Sequence, residues 1–278
     1  MVEKFAETNG IKLCYEIQGE GFPIILLHGI GAKKETWIAQ IPALTKKYKV
    51  IAVDLRGTGK SDRPNMPYTM EMFSDDIKGL MDYLNIKKAH IAGRSMGGMI
   101  AQHFALKYPN LIDKLILITT TPGFPNEEGV ELMIQGRIRE IKQIDKAPAD
   151  SFWKKAPMLF YQKFRKEMEA NPQKKFYGIW SVDDLIKEDA IDPPTPQDLI
   201  NQGYAMKKHN ISERLIEIKN ETLLLAASHD RLTPKSGMEE MNRRIPNSSL
   251  EVIEKAGHFS HLSNAPEFNQ IILDFLES

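Results

Sequence analysis

The chain has 278 residues, 42% apolar and 27% charged, a balance typical of globular proteins that excludes a disordered chain, a collagen-like repeat and a coiled coil. Thirty-seven Lys and Arg against 37 Asp and Glu give a formal net charge of zero, without the basic excess of a nucleic-acid binder. No apolar run exceeds strand length, the first residues lack a basic segment followed by an apolar stretch, and Cys14 has no second cysteine to pair with. These features predict a cytoplasmic protein that engages neither membrane nor nucleic acid.

In chain order, Val2–Thr8 and Ile11–Gln18 read as strands joined at Asn9-Gly10, a strong hairpin signal. Ile24–Leu27 is a continuous apolar run, as expected of a buried central strand, and it ends at His28-Gly29-Ile30-Gly31. A helix is expected over Thr36–Thr45, a strand over Val50–Val53, and a helix over Thr69–Leu84 with apolar residues at helical spacing. Strand Ala89–Ala92 passes through Gly93 into a helix from Met96 to Tyr108, and strand Leu115–Ile118 follows. This alternation predicts an α/β fold with a mainly parallel, twisted sheet flanked by helices. It breaks after the sixth strand. Residues 124–209 (Phe124–His209) are helical in character, rich in aromatic residues and Met, and interrupted at Asp192-Pro193-Pro194-Thr195-Pro196. Strand Thr222–Ala227, helix Lys235–Arg244, strand Leu250–Ile253 and helix Ala265–Phe275 then resume the pattern. The organisation is therefore a core of residues 1–123 and 210–278 with a helical insertion.

Gly93-Arg94-Ser95-Met96-Gly97 has the form Gly-x-Ser-x-Gly between a strand and a helix, the setting of a nucleophile elbow. A serine hydroxyl needs a base to take its proton. His258 follows the last strand, on a loop that ends at the same sheet edge as Ser95, with Gly257 freeing its backbone. His261 is the rival, whereas His90 inside a strand and His103 inside a helix read as structural, and His209 and His229 have no comparable support. Asp230, just past a strand, can orient the imidazole, or it is simply a capping aspartate. The backbone N–H groups of Met96 and Ile30 can converge on an oxyanion, with His28 supporting the loop.

Four stretches resemble the α/β-hydrolase fold superfamily, in its capped single-domain type. They are His28–Gly31, Asp54-Leu55-Arg56-Gly57-Thr58-Gly59-Lys60-Ser61-Asp62, Gly93–Gly98, and Asp230 with Gly257-His258. The subgroups most similar are carboxylesterases and enol-lactonases, with aromatic-ring C–C hydrolases more distant. The resemblance implies that residues 124–209 form a cap over the site and that Asp54 and Arg56 belong to a structural loop. Arg94 departs from the pattern; its expected role is a salt bridge beneath the elbow or, alternatively, the binding of an acidic substrate group.

Trp153, Phe160 and Trp180 are the substrate-binding candidates in the insertion, from a set that includes Phe152, Met158, Tyr161, Phe164, Phe176 and Tyr204. Most of that set is expected to be core. No cofactor is expected, and no ligand spacing suggests a metal. The reading is a serine hydrolase cleaving small to medium apolar carboxylic esters through an acyl-enzyme, acting on a small-molecule ester or lactone as a monomer or homodimer. Enol-lactone or C–C bond hydrolysis and a slow-turnover ligand receptor of the same fold are the alternatives.

Overall fold

The computed structural model describes residues 3–144 and 146–278; Val2, which opens the first expected strand, lies outside them. Strands β1 (Lys4–Thr8), β2 (Ile11–Gln18), β3 (Phe22–Leu27), β4 (Tyr48–Val53), β5 (Ala89–Arg94), β6 (Ile112–Ile118), β7 (Glu221–Ala227) and β8 (Ser248–Ile253) form one sheet. Their order is β1-β2-β4-β3-β5-β6-β7-β8. Only the β1–β2 and β2–β4 pairings are antiparallel. The β1–β2 hairpin turns at Asn9 and Gly10, both with positive φ (49° and 75°), the conformation such a two-residue turn requires.

The apolar run of β3 follows from its central place. Ile25 and Leu27 pack into the core on one face, with Phe73 of α2 (Met70–Tyr83) and Ile100 of α3 (Met96–Lys107). Ile24 and Leu26 pack on the other, with Trp37, Phe268 and Ile272. A strand covered on both faces needs apolar residues at every position. The helix expected over Thr36–Thr45 is divided into a 3₁₀ turn, Lys34–Trp37, and a short helix, α1 (Ile41–Leu44). Pro42 brings no N–H to a continuous helix and sits in the opening turn of the second piece.

Among the described residues, five α-helices and a 3₁₀ turn (Ser212–Glu217) separate β6 from β7: α4 (Glu127–Ile144), α5 (Pro148–Leu159), α6 (Gln162–Ala170), α7 (Val182–Ala190) and α8 (Pro196–Lys207). An antiparallel bridge between Gly123 and Asn210 brings the two ends of this insertion together. The proline-rich interruption becomes a helix start, where Thr195 and Asp198 form a reciprocal capping box ahead of α8. Among the described residues, no helix is long and apolar enough to cross a membrane.

Strand β4 lies on one side of β3 and β5 on the other, so the chain reverses direction of travel across the sheet at β3. In an open parallel sheet, the crevice beyond the carboxyl ends of the strands at such a switch is where ligands bind. The loops His28–Gly31 and Arg94–Met96 both emerge there.

Candidate active site

Ser95 stands between β5 and α3 with φ 55° and ψ −120°, a left-handed backbone that a residue with a Cβ rarely adopts. The flanking glycines are dictated by contact. A Cβ on Gly93 would stand 2.2 Å from the Gly97 carbonyl oxygen, and one on Gly97 would stand 2.2 Å from that of Leu27. The turn is pinned by its neighbours: the Ser95 N–H donates to the Ile118 carbonyl (2.9 Å), and the Thr120 hydroxyl donates to the Ser95 carbonyl (2.8 Å).

Asp230 and His258 meet. The imidazole Nδ1 lies 2.7 Å from Asp230 Oδ2. The other carboxylate oxygen accepts the N–H groups of Leu232 (2.8 Å) and Thr233 (3.1 Å), so the acid is also a turn cap. Burial acts to raise the Asp230 carboxyl, but the His258 charge and these hydrogen bonds outweigh it and hold it below the usual carboxylate range. A Cβ on Gly257 would come 2.6 Å from the Leu159 carbonyl, which accepts the Phe259 N–H at 2.9 Å. The glycine therefore lets the His258 loop dock against the end of α5.

The point where a Gly29 Cβ would stand is 3.2 Å from Ser95 Cβ, so the loop carrying Ile30 runs directly beside the serine. The first N–H groups of α3, Met96 among them, have no partner within the helix. His28 is buried beneath this loop, its Nδ1 2.8 Å from the Gly29 carbonyl while Nε2 accepts the Leu55 N–H (3.1 Å). Burial pushes its imidazole down to about 4, so it remains neutral. Asp54 accepts the N–H groups of Lys34 and Lys60, and Arg56 grips Asp76 with two hydrogen bonds of 2.6 Å. Both are tied into the scaffold.

The remaining histidines lie elsewhere. His261 is buried against Trp37, with Nε2 3.3 Å from the Thr36 hydroxyl. His90 is packed by Phe22 and Tyr48, and His103 meets His209 at 3.1 Å at the seam of α3 with the insertion. His229 touches Ser228 and the ring of Tyr161.

Ser95, His258, Ile30 and Arg94 line a cavity of about 360 Å³ roofed by the insertion through Met158, Leu159, Leu185 and Met206. Three substrate-binding candidates are corrected here. Trp153, Phe160 and Trp180 do not line the cavity; they belong to a cluster with Phe164 and Phe176 that joins the insertion to Ala39, Leu262 and Ala265 of the core. Phe176 and Trp180 stack at 4.9 Å, and Phe160 and Phe164 at 6.0 Å. Large flat rings bury most area against one another, which is why they gather at the seam between the insertion and the core. Met158, from the wider candidate set, does line the cavity, whereas Leu159, Leu185, Met206 and Phe259 were not singled out from sequence, since each is an ordinary apolar residue.

The salt bridge expected of Arg94 is not formed among the described residues. Its side chain is 2% exposed, and its guanidinium lies 4.5 Å from the centre of the Phe259 ring. Burial pushes it down to about 10, with the Asp230 charge opposing and Arg137 reinforcing that shift. The carboxylates of Glu3, Glu16 and Glu35 come within 4.8 Å of one another. The Lys34 ammonium already reaches Glu35 at 2.7 Å and Glu3 at 3.4 Å, so the cluster carries its own cation.

The comparisons agree with this geometry. A family model described as the alpha/beta hydrolase fold matches residues 23–137 and 135–265. The AB hydrolase superfamily protein YisY of Bacillus subtilis (strain 168) is 28% identical over 272 residues, covering 96% of each chain. A 2-hydroxy-6-oxononadienedioate/2-hydroxy-6-oxononatrienedioate hydrolase of Comamonas testosteroni is 30% identical over 275 residues, covering 93% of this chain and 88% of that protein. The structure of a thermophilic esterase from Thermogutta terrifontis superposes with a TM-score of 0.82 at 28% identity, covering 100% of this chain and 98% of that one. The chain belongs to the α/β-hydrolase fold family.

Proposed function

We propose that the protein is a serine hydrolase that cleaves carboxylic esters through an acyl-enzyme on Ser95. The observation that carries the reading is the 2.7 Å contact between His258 and Asp230, with His258 lining the same cavity as Ser95. In this scheme His258 Nε2 takes the Ser95 proton as Oγ attacks the ester carbonyl carbon. The N–H groups of Ile30 and Met96 hold the resulting oxyanion. Collapse breaks the bond to the alkoxide, which leaves as the alcohol with the proton held by His258, and the acyl group stays on Ser95. Water then gives a proton to His258 and attacks the acyl carbon; release of the acid returns that proton to Ser95. Asp230 stays ionised throughout and stabilises the imidazolium.

In this reading residues 124–209 act as a cap, and the cavity of about 360 Å³ limits substrate size. Each methylene that fits contributes about 0.8 kcal/mol of burial, and each that does not must remain in water or lift the insertion. With p-nitrophenyl esters, kcat/KM is therefore expected to rise over the first few carbons and fall by twelve. A steady rise to sixteen carbons with activation at an emulsion surface would point instead to a lipase. The similarity to a hydrolase named for a 2-hydroxy-6-oxo dienedioate favours one second reading, hydrolysis of a C–C bond with the same residues. A substrate of that type in the same panel separates the two.

A further inference from the structure

The charged side chains lining the cavity are paired with one exception. Lys33 meets Glu188 at 2.7 Å, Arg137 meets Glu140 at 2.5 Å, and Lys155 meets Asp189. The Glu35 carboxylate turns away to Lys34. Arg94 has neither an ion pair nor a hydrogen bond among the described residues, and its buried Nε has no acceptor. The Phe259 ring offers its face to the cation, an attraction that leaves the guanidinium's N–H donors without an oxygen acceptor among the described residues. A scaffold position filled for packing alone would hold an apolar chain of similar length, because a buried charge without a partner opposes folding. Asp230 exerts the nearest attraction, yet it is already committed to His258, Leu232 and Thr233.

Arg94 is also well placed relative to the serine. The point where a Gly29 Cβ would stand is 3.4 Å from Arg94 Nη2 and 3.2 Å from Ser95 Cβ, so guanidinium and nucleophile flank the same glycine. We propose that Arg94 is the seat of a carboxylate carried by the substrate, so that the protein acts on acidic esters whose carboxylate lies within a few carbons of the bond to be cleaved. This rests on the reading of Ser95 as the nucleophile for the position of that bond; the anion seat itself rests on Arg94 alone. The planar fork of a guanidinium matches a carboxylate with two parallel hydrogen bonds, which would supply the missing acceptors.

The test compares mono-p-nitrophenyl glutarate with p-nitrophenyl pentanoate, equal in carbon number, with spontaneous hydrolysis subtracted. The unmodified protein is expected to favour the acidic ester in kcat/KM by tenfold or more, and Arg94→Gln to lower that ratio at least tenfold. Arg94→Lys keeps the charge without the fork and is expected to retain part of the preference. A preference for the neutral ester, or a ratio unchanged in Arg94→Gln, overturns the proposal. Should Arg94→Gln not fold, the unmodified ratio and Arg94→Lys decide. A second arm is independent of turnover: glutarate is titrated by calorimetry into Ser95→Ala with and without Arg94→Gln. Binding weakened tenfold by the second substitution supports the seat; absent or equal binding overturns it. If neither ester is turned over, the ester-hydrolase reading fails, and calorimetry still decides the role of Arg94.

Discussion

Ser95 holds a left-handed backbone that costs on the order of 1–3 kcal/mol, and the hydrogen bonds to Ile118 and from Thr120 keep it there. The proposed base, His258, is separated from its rival by surroundings. His258 faces the cavity with Asp230 behind it, whereas His261 is enclosed by Trp37, Phe259 and Phe268. Burial, helped by Arg94 and His258, pushes the His261 imidazole well below the ordinary histidine range, so it stays neutral and fixed. His258→Gln is accordingly expected to lower kcat/KM by at least about 10³-fold with little change in Tm. His261→Gln should leave activity within about tenfold and cost about 1–3 kcal/mol of stability through its lost packing and hydrogen bond. Ester kinetics and thermal unfolding of both variants check this, and the reverse pattern would move the base to His261. The placements of Ser95, Asp230 and His258 were legible because each follows from local chemistry: an elbow framed by glycines, a capping aspartate after a strand, a loop histidine after a glycine. The missing partner of Arg94 was not legible, since it depends on every residue that converges there from other parts of the chain.

At the scale of elements, the strands could be read because burial on two faces leaves an unbroken apolar run, as in β3 and β6. Helices α2 and α3 were legible to within a residue, with Thr69 capping the first: its hydroxyl accepts the Met72 N–H. Two features were misread for identifiable reasons. Thr36–Thr45 has helical composition, but Pro42 and the burial of Trp37 divide it into a 3₁₀ turn and a short helix. In the insertion, periodicity reveals which face of a helix is apolar without revealing what that face meets. Phe160, which caps α5, and Trp180, ahead of α7, meet other rings, whereas Met158 and Leu159 in the last turn of α5 meet the cavity. Gly257 was legible as a flexible point, but its contact with the Leu159 carbonyl, which couples the His258 loop to the insertion, required the fold.

For the whole molecule, three buried histidines besides His261 tie stability to pH. Burial pushes His28 and His90 down to about 4 and His209 to about 3, in each case against weaker contacts that raise them. In the unfolded chain each takes a proton near 6.5, whereas in the folded chain each stays neutral until far lower pH. Between these limits the unfolded state binds more protons, so the contribution is complete above pH 6.5 and is lost as pH falls toward 4. Well below 6.5 each histidine contributes about 1.4 kcal/mol per pH unit, or about 4 kcal/mol per unit for the three. Tm is therefore expected to be flat from pH 8 to 7 and to fall steeply from 6.5 to 5. His90→Phe, which keeps the ring contacts with Phe22 and Tyr48, should remove about 1.4 kcal/mol per pH unit of that slope. A Tm unchanged between pH 7 and 5 would contradict the assignment of neutral buried histidines. The central claim, that Ser95 is the nucleophile of a turning-over ester hydrolase, is tested most directly by following p-nitrophenol release from excess p-nitrophenyl butyrate. The folded protein should release many equivalents per chain, and Ser95→Ala no more than about a thousandth of that rate above the spontaneous reaction. Release that stops after one equivalent, or a Ser95→Ala variant that keeps a substantial share of the rate, would contradict it.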